Sequence, residues 1–323
     1  MSRKLYTQTA LGLILSSTAV ADVPSVAVDI APVHALVARV MDGVGAPNLI
    51  IPPSASPHEY SLRPSEAKSL QDADLVFWVG EDLTPWLEKS IDTLSRNAEI
   101  ITLLDQSETK LLKFRESALF EAHDHDDHDD HDHDKSHDDH DDHEGHNHGT
   151  HDPHAWLSID NAQSWLNVIA AKLSAVDPEN AGVYYGNAAS AIAELDAVEK
   201  EINATLDPVR GNSFVVFHDA YQYFENSFEF FAAGAISLSD ASDPSAARIA
   251  EVQGRIKNEG IDCILSEPQY NANMVATVLS GTDAKTGVID PLGSSLEPGP
   301  NLYTELVYDM AETLVGCLSD AKK

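Results

Sequence analysis

Residues 23–42 read VPSVAVDIAPVHALVARVMD. Val23 to Ile30 is apolar and β-branched, as a strand buried on both faces should be. Pro32 then predicts a helix through about Asp42. Its missing N–H is one that a first helical turn leaves unpaired anyway, and its ring presets φ. Val33, Leu36, Val37 and Val40 fall on one face of that helix. A buried strand feeding directly into such a helix is the building unit of a parallel α/β sheet.

The same unit recurs outward along the chain. Asn48 to Ile51 reads as a second strand, stopped by Pro52-Pro53, and a helix is predicted from Arg63 to about Asp72. Leu75 to Val79 is a third strand, Pro85 to Ser95 a helix, and Ile100 to Leu104 a fourth strand. The second half repeats the alternation. Ser213–Phe217 is a strand, Asp219–Asn226 a short helix and Glu229–Ile236 strand-like. Pro244 opens a helix through Glu259, capped by Gly260. Cys263–Leu265 and Val288–Asp290 read as strands, Ala272–Ser280 and Tyr303–Leu318 as helices. Between the halves lie a helix from Asn161 to Ala175 and one from Ala181 to Leu206, with Ala189, Ile192, Leu195, Val198 and Ile202 at helical spacing. The second spans about 39 Å at 1.5 Å per residue, enough for a stiff strut.

The expected fold is therefore α/β: two lobes, each with a mainly parallel sheet flanked by helices, joined by one long rigid helix. The N-terminal lobe is expected over residues 22–160 and the C-terminal lobe over 210–323. A helical segment, 161–209, lies between them and carries the linker helix at about 179–207. A site in such a chain belongs between the lobes, outside the carboxyl ends of the strands.

The 323 residues carry a formal net charge of −33, which makes nucleic acid a poor partner and a cation a good one. Arg3 and Lys4, the apolar run Ala10–Leu15 and the small-residue site Ala19-Val20-Ala21 read as a cleavable export signal over residues 1–21. The run is too short to span a membrane. No cysteine stands near the cleavage site, so the mature chain is not expected to be membrane-anchored. Two cysteines, Cys263 and Cys317, form an even count in an exported chain and favour a disulfide over two buried thiols. The bridge would close a loop of about 55 residues, worth roughly 4 kcal/mol of chain entropy.

From His123 to His151 the composition collapses to histidine and aspartate, with no aromatic or aliphatic residue. Such a stretch cannot bury enough surface to offset the entropy of ordering, so a disordered loop is expected. It holds His123, His125, His128, His131, His133, His137, His140, His143, His146, His148 and His151. Neutral imidazoles bind zinc and the carboxylates draw cations inward, so several weak, exchanging sites are expected. The loop either collects zinc for a tighter site or is a solvated spacer.

Four histidines lie outside that segment: His34, His58, His154 and His218. His34 falls in the first turn of the first helix and reads as structural. Each of the others follows an apolar segment: His58 in the loop after the second strand, His154 within Asp152-Pro153-His154, and His218 at the end of Phe214-Val215-Val216-Phe217. Loops on one rim of a sheet can converge on a cleft. Three imidazoles there make a zinc site with a fourth position open to water or a carboxylate. Asp290 is the first candidate for that position and Glu59 the second. A nitrogen-rich shell suits zinc better than manganese, calcium or magnesium.

These residues sit in stretches that resemble a known family. They are Ser56-Pro57-His58-Glu59-Tyr60-Ser61-Leu62-Arg63-Pro64-Ser65, Asp152-Pro153-His154-Ala155-Trp156-Leu157-Ser158, Phe217-His218-Asp219-Ala220-Tyr221-Gln222-Tyr223-Phe224, Ser266-Glu267-Pro268-Gln269 and Asp290-Pro291-Leu292-Gly293. In that order they resemble the zinc-binding components of bacterial zinc ABC importers, the ZnuA-type cluster A-I solute-binding proteins. The resemblance implies a periplasmic monomer that captures zinc between two lobes and delivers it to an importer permease. It implies His58, His154 and His218 as ligands, and a C-terminal disulfide matching Cys263 and Cys317. A carboxylate stands at the position of His218 in manganese-binding relatives, so this chain falls on the zinc side. Some zinc members carry a glutamate just before the first histidine. Pro57 stands here, which leaves the fourth ligand between Asp290 and water.

Three histidines with an open position also describe catalytic zinc. The chain has neither a His-Glu-x-x-His helix nor a Gly-x-Ser-x-Gly elbow. A zinc-dependent hydrolase, with Glu267 offered as general base, is therefore an alternative, as are an adhesin and a carrier of manganese or another divalent metal. A binder rather than an enzyme is expected.

Overall fold

The computed structural model describes residues 23–115, 120, 151–237, 245–270, 277 and 281–319. The expected export signal over 1–21, Pro244, the His/Asp segment except His151 and, save for residue 277, the helix expected over Ala272–Ser280 lie outside those residues.

The described strands form two four-stranded sheets, parallel throughout. The first contains β1 (Val26–Val28), β2 (Asn48–Leu49), β3 (Leu75–Trp78) and β4 (Glu99–Thr102), in the order β2-β1-β3-β4. The second contains β5 (Phe214–His218), β6 (Gly234–Ser237), β7 (Cys263–Ser266) and β8 (Lys285–Val288), in the order β6-β5-β7-β8. The topology is the same twice. In each sheet the first strand is central, the second pairs on one side of it and the third on the other. The strand order thus reverses beside β1 and again beside β5, which opens a crevice at their carboxyl ends.

Helices among the described residues include α1 (Ala31–Val40), α2 (Pro64–Gln71), α3 (Pro85–Leu94), α4 (Ile159–Val176), α5 (Ala181–Leu206), α6 (Gln222–Phe228), α7 (Ala246–Glu259) and α8 (Leu302–Leu318). Proline opens α2 and α3 and lies in the first turn of α1. The Ser158 side chain caps α4 by accepting the Asn161 N–H at 3.2 Å. Period-two alternation explains how β5 is buried on both faces. Phe214 and Val216 join the main core, while Val215 and Phe217 pack with Val252 and Ile256 of α7 in a smaller cluster.

Several expectations are corrected. The first strand is confined to Val26–Val28 rather than Val23–Ile30, and Val23 is exposed. Main-chain pairing runs one residue further, with the Asp29 N–H donating to the Phe77 carbonyl at 3.2 Å and the Asp29 carbonyl accepting the Ile51 N–H at 2.8 Å. The buried Asp29 carboxylate then accepts the Ile30 N–H at 2.8 Å and the Val79 N–H at 2.7 Å. The last strand is Lys285–Val288, not Val288–Asp290. It lies at a sheet edge, where pairing with β7 selects the register and local apolar content does not. β6 begins at Gly234 rather than Glu229, and α6 runs over Gln222–Phe228 rather than Asp219–Asn226.

The long helix has its expected bounds but a different setting. Tyr184, Ala188, Ala191, Leu195, Val198, Ile202 and Leu206 are all buried along one side of it. α5 packs against α4, α1 and α8, and one core runs unbroken from the first sheet to α8. α5 is the long rigid helix expected, and this packing makes it a spine of the core. Cys263, which opens β7, is disulfide-bonded to Cys317 near the end of α8, with a Cα separation of 5.9 Å. Among the described residues no helix is long and apolar enough to cross a membrane.

Candidate metal centre

His218 is the last residue of β5, which is buried throughout. The register pairs Val216 with Leu265 of β7, so two residues further on His218 stands beside Glu267. The His218 Nδ1 lies 2.6 Å from Glu267 Oε1, and both side chains are buried. His154 opens the 3-10 turn Ala155–Leu157 in the connection from β4 to α4. Its backbone N–H donates to Asp152 Oδ1 at 2.9 Å, and its Nδ1 lies 2.7 Å from the same oxygen. Asp152 is itself fixed: its N–H donates to the Leu112 carbonyl and its carbonyl accepts the Tyr223 hydroxyl, each at 2.9 Å. His58 comes from the loop between β2 and α2 and is half-buried.

The three histidines converge. Each offers one ring nitrogen, and these atoms all lie within 4.8 Å of one another. The Nε2 atoms of His154 and His218 face each other at 3.4 Å. A carboxylate only accepts hydrogen bonds, so Asp152 and Glu267 each draw the proton of their imidazole to Nδ1. Both Nε2 atoms are then lone-pair acceptors pointed at one place. Two nitrogens held about 2.0–2.1 Å from a tetrahedral zinc lie about 3.3 Å apart, close to the separation found. Trp156, whose ring centroid is 5.2 Å from that of His154, forms one wall of the pocket that the three histidines line.

The other expected ligands are not brought into this grouping. Asp290 lies two residues past the end of β8. Its Oδ1 accepts from Gln269 Nε2 at 3.2 Å and Leu292 N at 3.0 Å, and its Oδ2 from Ser294 N at 2.5 Å and Ser294 Oγ at 2.6 Å. Those four bonds use the carboxylate to shape a loop in which Gly293 takes φ +69°. Glu59 is exposed. His34, as expected, is structural: it is buried and its Nε2 meets the Pro47 carbonyl at 3.1 Å. His123, His125, His128, His131, His133, His137, His140, His143, His146 and His148 lie outside the described residues. His151 is described, in an isolated antiparallel bridge with Lys113.

The sequence reading offered no orienting role for Asp152 and considered Glu267 only as a general base. Asp152 carried a sign in Asp-Pro-His, two residues before a ligand candidate. Glu267 became visible only through the β5–β7 register. Arg115 was missed altogether. Its guanidinium reaches Asp219 at 3.1 Å and Glu225 at 2.6 Å, and lies 3.8 Å over the Phe120 ring. Burial pushes Asp219 up to about 6 and Glu225 up to about 7, with Arg115 pulling both down. Burial also pushes Asp29 up to about 7, against the N–H groups of Val79 and Ile30.

Asp29 and Glu225 therefore hold a proton more tightly when folded than when unfolded. Their contribution to stability is fully present below about pH 4 and is lost as pH rises through about 7. The melting temperature of the metal-free protein, followed by calorimetry in a chelating buffer, is expected to fall between pH 4.5 and 7. A flat profile would show that the folded and unfolded states bind these protons equally.

The model of the family described as zinc-uptake complex component A, periplasmic (ZnuA), matches residues 26–317. The high-affinity zinc uptake system protein ZnuA of Brucella suis biovar 1 is 47% identical over 305 residues, covering 91% of each chain. Its namesake from Paracoccus denitrificans is 47% identical over 302 residues, covering 92% of this chain and 93% of its own. A crystal structure of ZnuA shares the fold with a TM-score of 0.73, at 20% identity, covering 92% of this chain and 100% of its own. The family match runs from β1 almost to the end of α8, and relatives close to half identical span nearly their full length. The chain therefore belongs to the ZnuA family of periplasmic zinc-uptake components.

Proposed function

We propose that this chain captures zinc in the periplasm with His58, His154 and His218 and delivers it to the membrane permease of an ABC importer. One observation carries the reading: two Nε2 atoms face each other at 3.4 Å while both Nδ1 atoms are held on buried carboxylates. That arrangement fixes the tautomer, aims the lone pairs and raises ligand basicity before the ion arrives. Zinc here is cargo, and no reaction is needed of it. With Asp290 committed to its loop, water completes the shell, which leaves one position that a receiving ligand can attack. Protons compete with zinc for the same nitrogens, so affinity falls in acid. The wide packing of α5 against α1, α4 and α8 favours small rearrangements around the cleft over a broad hinge. Calorimetric titration of the mature protein without the His/Asp segment tests the site. One tight zinc per chain supports it, and no tight site would move the function to the segment.

The segment collects zinc and raises its concentration at the cleft. Its last residue, His151, lies three positions before His154 along the chain. Deleting Asp124–Thr150 is expected to leave the tight site intact and to slow growth when zinc is scarce. Unchanged uptake at limiting zinc would reduce the segment to a spacer.

A further inference from the structure

His154 and His218 are fixed by carboxylates, one at the end of a strand and one in a buried turn. His58 stands on the β2–α2 loop, and two clamps flank it. On one side, the Trp86 indole N–H donates to the carbonyl of Pro57, the preceding residue, at 2.7 Å. On the other, the Tyr60 hydroxyl donates to Glu66 Oε1 at 2.8 Å, while Glu66 Oε2 accepts the Arg63 N–H at 2.6 Å. The Tyr60 and Trp86 rings meet edge to face, with centroids 5.9 Å apart, so the clamps brace each other. Between them the His58 N–H is directed at Ser56 Oγ, 3.3 Å away.

Trp86 is an unexpected place to spend an indole. It occupies the second position of α3, is half-buried, and packs on the rim of the core rather than within it. A phenylalanine there would keep an aromatic ring on the rim but no donor. The indole supplies an N–H, and that N–H is used on the peptide joining Pro57 to His58. Pro57 has no side-chain donor for a metal, yet its carbonyl serves as the handle by which the loop is held. We propose that Trp86 is the positioning residue for His58: its indole N–H, acting through the Pro57 carbonyl, holds the first histidine over the other two and sets how long zinc stays bound. The inference rests on the reading of the three histidines as zinc ligands.

The physical link is a population. A histidine on an unrestrained loop faces the other two only part of the time, and apparent affinity falls by that fraction. One intramolecular hydrogen bond shifts such a balance roughly three- to tenfold. Association is governed by encounter and charge, so the change is expected mainly in dissociation.

The test uses the full mature chain, with zinc itself as probe and a competing chelator that reads only the tight site. Trp86→Phe, His58→Ala and the double variant are compared, with His218→Ala alongside. Trp86→Phe is expected to speed zinc dissociation and weaken affinity roughly three- to tenfold, with no further loss once His58 is alanine. Affinity within twofold of the parent, or an equal loss in both backgrounds, would overturn the proposal, since a merely structural tryptophan does not depend on His58. If Trp86→Phe melts far below the parent, 3-benzothienylalanine at position 86, which keeps the bicyclic ring and lacks the N–H, replaces it. A loss confined to the His58 background supports the clamp, and its absence overturns it. Tight zinc binding by His218→Ala would instead defeat the underlying reading of the site.

Discussion

His218→Ala is expected to weaken zinc binding by between a hundred- and a thousandfold. A structural zinc site returns about 10–16 kcal/mol, so each of four ligands accounts for about 2.5–4 kcal/mol, at about 1.4 kcal/mol for each tenfold change. The alanine also leaves Glu267 buried without the imidazole it faces at 2.6 Å. Some loss of metal-free stability is therefore expected as well. His218→Gln separates the two effects. Its amide N–H can still donate to Glu267 while the imidazole is gone, so stability should recover and affinity should not. Competition titration gives the first quantity and thermal melting in chelator the second. A loss of less than tenfold in both variants would place the tight site elsewhere.

Arg115→Ala is expected to cost about 3–5 kcal/mol of stability at pH 8, the usual consequence of stranding buried partners of an ion pair. Asp219 and Glu225 are 5% and 1% exposed at their side chains, and Arg115 stands between them. The cost has a ceiling, because both carboxyls are already pushed up by burial and can escape by taking a proton. The loss is therefore expected to shrink towards pH 5, where the neutral acids need no counter-charge. Adding Glu225→Met to Arg115→Met should restore part of the stability at pH 8. Denaturant melts of the metal-free proteins at both pH values check this. A loss independent of pH would mean that Arg115 acts through its packing on Phe120 rather than through charge.

Much of this protein is written in local pattern. The alternation begun at residues 23–42 marks the strands and helices, since apolar period and proline position act within one turn or one strand. The bounds of α5, Ala181–Leu206, follow from its periodic face. Three histidines after apolar segments and the break in composition at His123 can be read without neighbours. The even cysteine pair predicts a bond that the structure contains.

Other features depend on residues distant in the chain. Glu267 meets His218 across 49 positions and Arg115 meets Asp219 across 104, and only sheet register and packing bring them together. The edge strand Lys285–Val288 carries no strong apolar signature, and pairing with β7 selects it. Asp290 illustrates the limit most plainly. Its sequence position after an apolar run suggested a ligand, and what the sequence did not show is that donors of a turn engage both its carboxylate oxygens. Sequence determined which chemistry the chain carries, because composition and period are properties of neighbouring residues. Tertiary structure decided which side chains act on one another, because a carboxylate's role is set by the donors that fill its lone pairs, and those arrive from elsewhere in the fold.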